Sequence, residues 1–294
     1  MKNISRNTDL VSVIMPVFNV ANYLPSALQS ILNQSHKNFE LVIVDDHSSD
    51  NTWEIIETFK RQDKRVRSRR NYRHMGFGAT LNKCIQKARG YYLARMDGDD
   101  IMIPRRIEKQ VTFLNENPRV VAVGSWCLEI NEKGAVIGKR FLPIEHQKIY
   151  EMMYYVMGLQ HPTVMFNRKL IPKYFSWCST RGLTIVDDLD VLFRLLKYGE
   201  FANIPEFLMY YRVHDKSLSL KSPKASFLEA DKVRGIAAKY YGYKPTIKSR
   251  ILRMTVRSIM KMIPEEKVIG LYSFFRNMRT FHFAEILKKN ANLA

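Results

Sequence analysis

The sequence predicts an α/β protein with a doubly wound sheet, and three observations carry that prediction. Short apolar runs alternate with stretches of helical periodicity over the first hundred or so residues, in the order strand, helix, strand, helix. One run, Glu40-Leu41-Val42-Ile43-Val44, is apolar after its first residue, as in a strand covered on both faces of a parallel sheet. Acidic loops follow two of the runs, at the carboxyl ends where open α/β sheets bind their ligands.

Taken in order, Val11 to Met15 reads as the first strand, broken by Pro16, and Tyr23, Ala27, Leu28, Ile31 and Leu32 then recur at helical spacing. The second strand, Glu40 to Val44, ends in Asp45-Asp46-His47-Ser48-Ser49-Asp50, and a helix is expected from about Thr52 to Arg61. A helix begins near Ala79 and Gly90 lies near its end. Tyr91 to Arg95 is a buried strand, followed by Met96-Asp97-Gly98-Asp99-Asp100 and by Pro104, which suits the first turn of a helix. Val120 to Ile130 is another apolar strand, with a turn at Asn131 to Gly134 and a helix from about His146 to Tyr155. Asp187-Asp188-Leu189-Asp190 opens a helix that Gly199 closes, its acids matching the positive end of the helix dipole. Phe201 to Ile204 and Phe207 to Arg212 read as closing strands.

The acidic stretch at residues 96–100 is the sequence's strongest chemical signal. Three carboxylates within four residues repel one another unless a cation sits among them, and oxygen ligands of this kind suit a hard divalent metal. The apolar strand in front makes the turn a pocket edge rather than a solvated tip. An EF-hand reading fails, because Ile101 and Met102 fall where an oxygen ligand and the turn glycine belong and Pro104 sits inside the loop. A dinucleotide fingerprint at Gly76-Phe77-Gly78 lacks its third glycine and does not follow the first strand.

Composition narrows the class further. The chain carries 47 Lys and Arg against 28 Asp and Glu, a formal charge of +19. From Lys216 onward there are 17 basic and five acidic residues, so the last quarter holds +12 of that excess. Thr246 to Ile263 reads as an amphipathic helix, with Arg250, Arg253, Arg257 and Lys261 in one stripe and Ile247, Ile251, Ile259, Met262 and Ile263 largely opposite. A second apolar and basic segment includes Leu271, Phe274, Phe275, Met278, Phe281 and Phe283. Basic amphipathic helices with aromatic residues suit an anionic bilayer surface, whereas the acidic loops have no use in nucleic-acid binding, which is disfavoured. The three cysteines (Cys84, Cys127, Cys178) are far apart and read as reduced thiols. With no membrane span and a polar start, the expected address is cytoplasmic, peripheral on the inner face of the membrane.

These motifs, in this order, resemble glycosyltransferase family 2, the inverting nucleotide-sugar enzymes with the GT-A fold. The resemblance rests on Val11 to Asn19, Val44 to Thr52, Ala94 to Asp100 and Asp187 to Asp190, with Gly76, Asn82, His161-Pro162 and Tyr211-Arg212-Val213-His214, and spans about residues 10 to 219. It implies a GT-A mixed sheet in residues 1–215 as catalytic domain, and the basic helical extension read over 216–294 lies outside the family's common core. It implies that Asp46 hydrogen-bonds the nucleotide base, that Pro16 and Phe18 line the base pocket, and that Asn19, Gly76, Asn82, Arg95, Asp97 and Gly98 belong to the donor site. Asp97 and Asp99 match the Asp-x-Asp motif and would hold Mn2+ or Mg2+, with His214 as a further metal contact. Asp188 matches the general base, with His161 and Asp187 on the acceptor side; Asp187 stands where the family carries Glu. The implied reaction is transfer of a single sugar, UDP-sugars favoured, to a hydroxyl of a glycan or lipid-linked acceptor; the Gln-x-x-Arg-Trp signature of processive synthases is absent. A nucleotidyltransferase is the rival reading, against which the loop Pro16-Val17-Phe18-Asn19 lacks glycine.

Overall fold

Val11–Val17 (β1) is buried at every position, and the rest of the sheet is laid down on either side of it. The structure, a computed structural model, describes residues 10–177, 187–214 and 223–264. Four parallel strands, β1, β2 (Phe39–Asp45), β3 (Val66–Arg70) and β4 (Tyr92–Arg95), stand in the order β3-β2-β1-β4. Beyond β4 the sheet becomes mixed. It continues through β8 (Met165–Asn167), β6 (Val120–Ile130), β9 (Glu200–Arg212) and β5 (Ile101–Met102), with β7 (Val136–Arg140) paired to β6. β8 is antiparallel to both neighbours, whereas β6 and β9 run parallel.

Alternation along β1 distributes its side chains to two cores. Val13 and Met15 join Leu28, Ile31, Ile43 and Ile107 on one face, and Ile14 joins Val44, Cys84, Phe166 and Leu192 on the other. Helices α1 (Leu24–Leu32), α2 (Thr52–Gln62) and α4 (Arg106–Glu116) contribute to the first core. The second takes α3 (Phe77–Lys87), α5 (His146–Met153) and α6 (Asp187–Leu195). Helices on both faces of a sheet with a parallel half are the doubly wound arrangement expected from the sequence. Because β1, β2 and β4 run parallel, the loops that follow them, with Asp46 and Asp97, open at the same edge.

Several boundaries differ from the sequence reading, each for a physical reason. The first strand does not stop at Pro16; it runs to Val17, with Pro16 opposite Val44. The ladder to β4 ends at Ile14–Arg95, so no backbone donor is asked of the proline on that side. β3, Val-Arg-Ser-Arg-Arg, carries no apolar alternation because it is an edge strand, where Arg69 meets water and Arg67 and Arg70 pair with Glu40 and Asp45 of β2. The helix expected at Pro104 begins at Arg106, after the two-residue β5 has paired with Met209 and Tyr210. The two closing strands are one, β9, whose register against β6 shifts near Trp126, opposite the Ile204–Phe207 segment that contains Pro205.

The C-terminal helices lie against this body. α7 (Pro223–Tyr240) buries Val233 and Ala237, Arg234 Nε donates to Met153 O at 3.0 Å, and Tyr241 Oη donates to Asp190 at 2.7 Å. α8 (Ile247–Met262) is capped by Thr246, whose side chain accepts from Ser249 N. Its basic stripe does not face water as a whole. Arg253 turns inward, with Nε at 2.7 Å from Asp231 and Nη1 at 2.6 Å from Tyr154 Oη. The outward face instead carries Ile247, Ile251, Met254 and Met262, at 79%, 59%, 69% and 84% exposure. The segment expected at Leu271 to Phe283 and Cys178 lie outside the described residues; Cys84 and Cys127 are buried and joined in no disulfide. No helix among the described residues is long and apolar enough to cross a membrane.

Arg253→Ala removes the half-buried ion pair and the hydroxyl contact that hold α8. Amide exchange over residues 247–262 should accelerate by an order of magnitude or more while β1 and β2 keep their protection, because the loss is local. Mass-spectrometric hydrogen exchange measures both regions in one experiment, and unchanged protection in α8 would show that other contacts hold it.

Candidate active site

The acidic loop is placed by the end of β4. Met96 N donates to Ile14 O at 3.2 Å, which turns the chain out of the sheet beside the end of β1. Gly98 must be glycine, since a Cβ there would meet Val17 Cγ1 at 2.8 Å and Val20 Cγ2 at 3.0 Å. The turn gathers Asp97, Asp99 and Asp100 so that one carboxylate oxygen from each lies within 4.8 Å of the others. Asp100, which the Asp-x-Asp match leaves out, therefore belongs to the cluster as well. Its Oδ1 accepts from Arg212 N at 2.8 Å, while its Oδ2 is buried without a partner.

Three arginines and a histidine answer this charge. Arg95 Nη2 lies 2.6 Å from Asp97 Oδ1, and His214 Nε2 lies 2.9 Å from Asp99 Oδ2. Arg212 Nε donates to Asp99 O at 2.8 Å, and its guanidinium packs on the Tyr23 ring. Beneath them Arg106 is fully buried, donating to Arg95 O at 2.9 Å and to Gln110 Oε1 at 3.0 Å. Burial pushes the Arg106 guanidinium down to about 9, although the Asp100 charge opposes this. Asp97 and Asp100 are raised by burial and by their acidic neighbours, Asp100 well above the ordinary carboxylate range. A buried, unpartnered carboxylate oxygen beside two more carboxylates fits a hard divalent cation, and Asp97, Asp99 and Asp100 with His214 are the residues that could hold one.

Asp46 organises the neighbouring loop. Its Oδ1 accepts from Asn71 Nδ2 at 2.6 Å and Met75 N at 2.9 Å, and its Oδ2 from Gly76 N at 2.8 Å. Gly76 adopts φ +87°, a conformation suited to glycine, as the N-cap of α3. His74 Nδ1 lies 2.9 Å from the same Oδ2, and the His74 ring rests on Phe18 at 4.2 Å between centroids. Asn19, at φ +52°, joins the first two loops, its Oδ1 accepting from Ser49 N at 2.9 Å. Pro16 is buried within β1, two residues before the exposed Phe18, and Asn82 is half-buried on α3.

A small cavity between α3, β4 and α6 brings the third group together. Arg95, His161 and Asp188 line it with Phe77, Gly78, Trp177 and Val191. Arg95 is buried, its guanidinium over the Phe77 ring at 4.9 Å, with Nε and Nη1 unpartnered. Its remaining nitrogen bridges to Asp97, so one arginine spans the acidic loop and the Asp188 cavity. His161 is held neutral, since burial, with Arg95 nearby, depresses it well below the usual histidine range. Asp187 opens α6, but its side chain lies outside the described residues. The sequence reading missed His74, Asn71, Phe77 and Trp177, which carry no motif, and it quoted Arg212 without a role. Arg212's place two residues before His214 was the one available signal.

With that geometry in view, comparison with known proteins is informative. The model of "Glycosyl transferase family 2" matches residues 12–175. The O-antigen biosynthesis glycosyltransferase WbnJ of Escherichia coli is 32% identical over 219 residues, covering 72% of this chain and 83% of that protein. S. aureus TarS residues 1–349, in complex with UDP-GlcNAc, superimposes with a TM-score of 0.63 at 17% identity, over 83% of this chain and 70% of that one. Mannosyltransferase PcManGT from Pyrobaculum calidifontis, in complex with GDP-Man and Mn2+, gives 0.55 at 16% identity, over 95% and 86%. At such identity the structural likeness establishes the fold, the GT-A arrangement.

The depressed His161 has a consequence for stability. Its ring titrates near 6.5 when unfolded and lower when folded, so the unfolded state binds more protons between those values. Stability is therefore lost as pH falls below about 6.5. His161→Asn should flatten this slope by up to about 1.4 kcal/mol per pH unit, measured by urea unfolding between pH 7 and 5.

Proposed function

The chain belongs to glycosyl transferase family 2, and from that premise we propose that it moves one sugar from a nucleotide-diphosphate donor to an acceptor hydroxyl, with inversion. The observation that carries this reading is the Arg95 bridge, which joins the acidic loop to the cavity holding Asp188. Leaving-group chemistry and base chemistry need opposite environments a few ångströms apart, and one buried cation serves both.

Each residue has a definable task. Asp97, Asp99 and Asp100, with His214, would hold Mn2+ or Mg2+, which when bound stabilises the departing diphosphate as a Lewis acid. Phe18 offers a face to the nucleotide base and Asp46 a carboxylate to its N–H groups. Arg95, with two nitrogens unpartnered, offers positive charge at the boundary between diphosphate and sugar. Asp188 takes the proton of the acceptor hydroxyl, and attack opposite the diphosphate inverts the anomeric carbon without a covalent intermediate. Neutral His161 can hydrogen-bond a sugar hydroxyl at no electrostatic cost. Asp187 stays as the alternative base on the acceptor side.

We favour a UDP-sugar of hexosyl or N-acetylhexosaminyl type, single addition rather than polymerisation, and a glycan or lipid-linked acceptor in surface-polysaccharide synthesis. The O-antigen relative and the UDP-GlcNAc-bound structure support this, and the GDP-Man-bound structure keeps a GDP-sugar in the test. We read residues 1–215 as the catalytic domain and 216–294 as an extension that meets an anionic membrane at the cytoplasmic face. What supports the membrane contact is the outward face of α8. Ile247, Ile251, Met254 and Met262 form an apolar ridge, and Lys248, Arg250 and Lys261 are exposed on the same helix, where they can reach acidic headgroups.

Three outcomes are expected. UDP or a UDP-sugar with Mn2+ should raise the melting temperature, and Asp99→Ala should abolish the shift. Asp188→Asn should retain donor binding and lower transfer by about 10²- to 10⁴-fold; full transfer would move the base to Asp187. Liposome flotation with phosphatidylglycerol should be lost in Ile251→Glu/Met254→Glu, and unchanged flotation would defeat this membrane face.

A further inference from the structure

We infer that His74 is a built-in stand-in for the nucleotide base, covering the base subsite until the donor displaces it. This rests on the nucleotide-sugar reading above and concerns the regulation of that same site. A nucleobase is a flat ring with N–H donors, and a subsite made of Phe18 and Asp46 would recognise it by stacking and by hydrogen bonding. The His74 imidazole already makes both contacts, its ring tilted by 34° against Phe18 with centroids 4.2 Å apart and its Nδ1 at 2.9 Å from Asp46 Oδ2.

Two arguments show that the base and His74 exclude each other. At 4.2 Å the rings of Phe18 and His74 are in contact, so no third ring fits between them. The Asp46 carboxylate also accepts from Asn71 Nδ2, Met75 N and Gly76 N, which with His74 fills the four acceptor positions that two carboxylate oxygens offer. A base that donates to Asp46 must remove one donor. Asn71 is buried and also donates to Thr80 Oγ1 at 2.9 Å, and the other two are backbone groups at the start of α3. His74 alone is a side chain on the surface, 57% exposed.

The loop is anchored so that His74 can leave by itself. Lys83 Nζ donates to Asn71 Oδ1 at 2.7 Å and contacts Met75 Sδ at 3.0 Å, pinning the loop on both sides of Tyr72-Arg73-His74. Those three residues are exposed. Swinging His74 out frees Phe18 and one lone pair of Asp46 and leaves the other three hydrogen bonds intact. The displacement lowers apparent donor affinity by the fraction of molecules in which the subsite is open.

The test is titration calorimetry of UDP and of GDP, each with Mn2+, on the full chain and on His74→Ala. The variant is expected to bind about tenfold more tightly, and binding by the variant alone would mark a complete mask. Equal or weaker binding by His74→Ala would overturn the inference, since His74 would then be a bystander or a contact to the base itself. If neither protein binds any nucleoside diphosphate, the nucleotide reading falls and this one with it. In the NMR spectrum, the His74 imidazole signal, identified by its loss in the variant, should shift when UDP is added to the wild type. A stationary signal with UDP bound would also overturn the inference.

Discussion

Mutual repulsion among three carboxylates at the end of β4 is the constraint around which this molecule is built. Asp97, Asp99 and Asp100 are crowded within 4.8 Å, and the rest of the site can be read as the answer to that crowding. Arg95 and His214 pair with two of them, the Arg212 backbone holds the third, and buried Arg106 supplies positive charge from below. The partners come from three parts of the chain, and they tie β4, α4 and the end of β9 together. On the reading proposed above, a divalent cation held at the unpartnered Asp100 Oδ2 and its neighbours would supply the positive charge that a departing diphosphate needs.

The same logic gives Arg95 its place. Burying an arginine with two nitrogens unpartnered costs several kcal/mol in isolation. It is tolerated because Asp97 pairs with one end and the Phe77 ring packs on its face. Burial, with the Arg95 charge beside it, keeps His161 neutral, so the cavity beside Asp188 shares a cation with the acidic loop. In the proposed reaction, donor and acceptor chemistry would meet at that one side chain.

The extension shows how packing can amend a helical-wheel reading, since Arg253 turns inward while Arg250, Arg257 and Lys261 of the same stripe stay exposed. An amphipathic helix was legible from Thr246 to Ile263, but periodicity cannot say which stripe meets the body. Asp231 on α7 and the Tyr154 hydroxyl offered a partly buried site for Arg253, and satisfying that charge turned the helix so that Ile247, Ile251 and Met254 face outward. A surface of apolar residues with lysines and arginines beside it is the result.

Sequence alone determined the doubly wound pattern, the buried strands around Ile14, Val42 and Leu93, and the acidic loops at one edge of the sheet, because these depend on local periodicity and on strand direction. It also picked out Asp46, Asp97, Asp99 and Asp188 through motifs whose order is preserved along the chain. Only the tertiary structure decided the edge strand at Val66–Arg70, the continuation of β1 through Pro16 and the union of the last two strands, since each depends on which neighbour is present. Tertiary structure likewise decided that Asp100 joins the cluster and that His74 covers Asp46. His74 reaches Asp46 from another loop, and Asp100 is held in place by the Arg212 backbone far along the chain, contacts that no local pattern encodes.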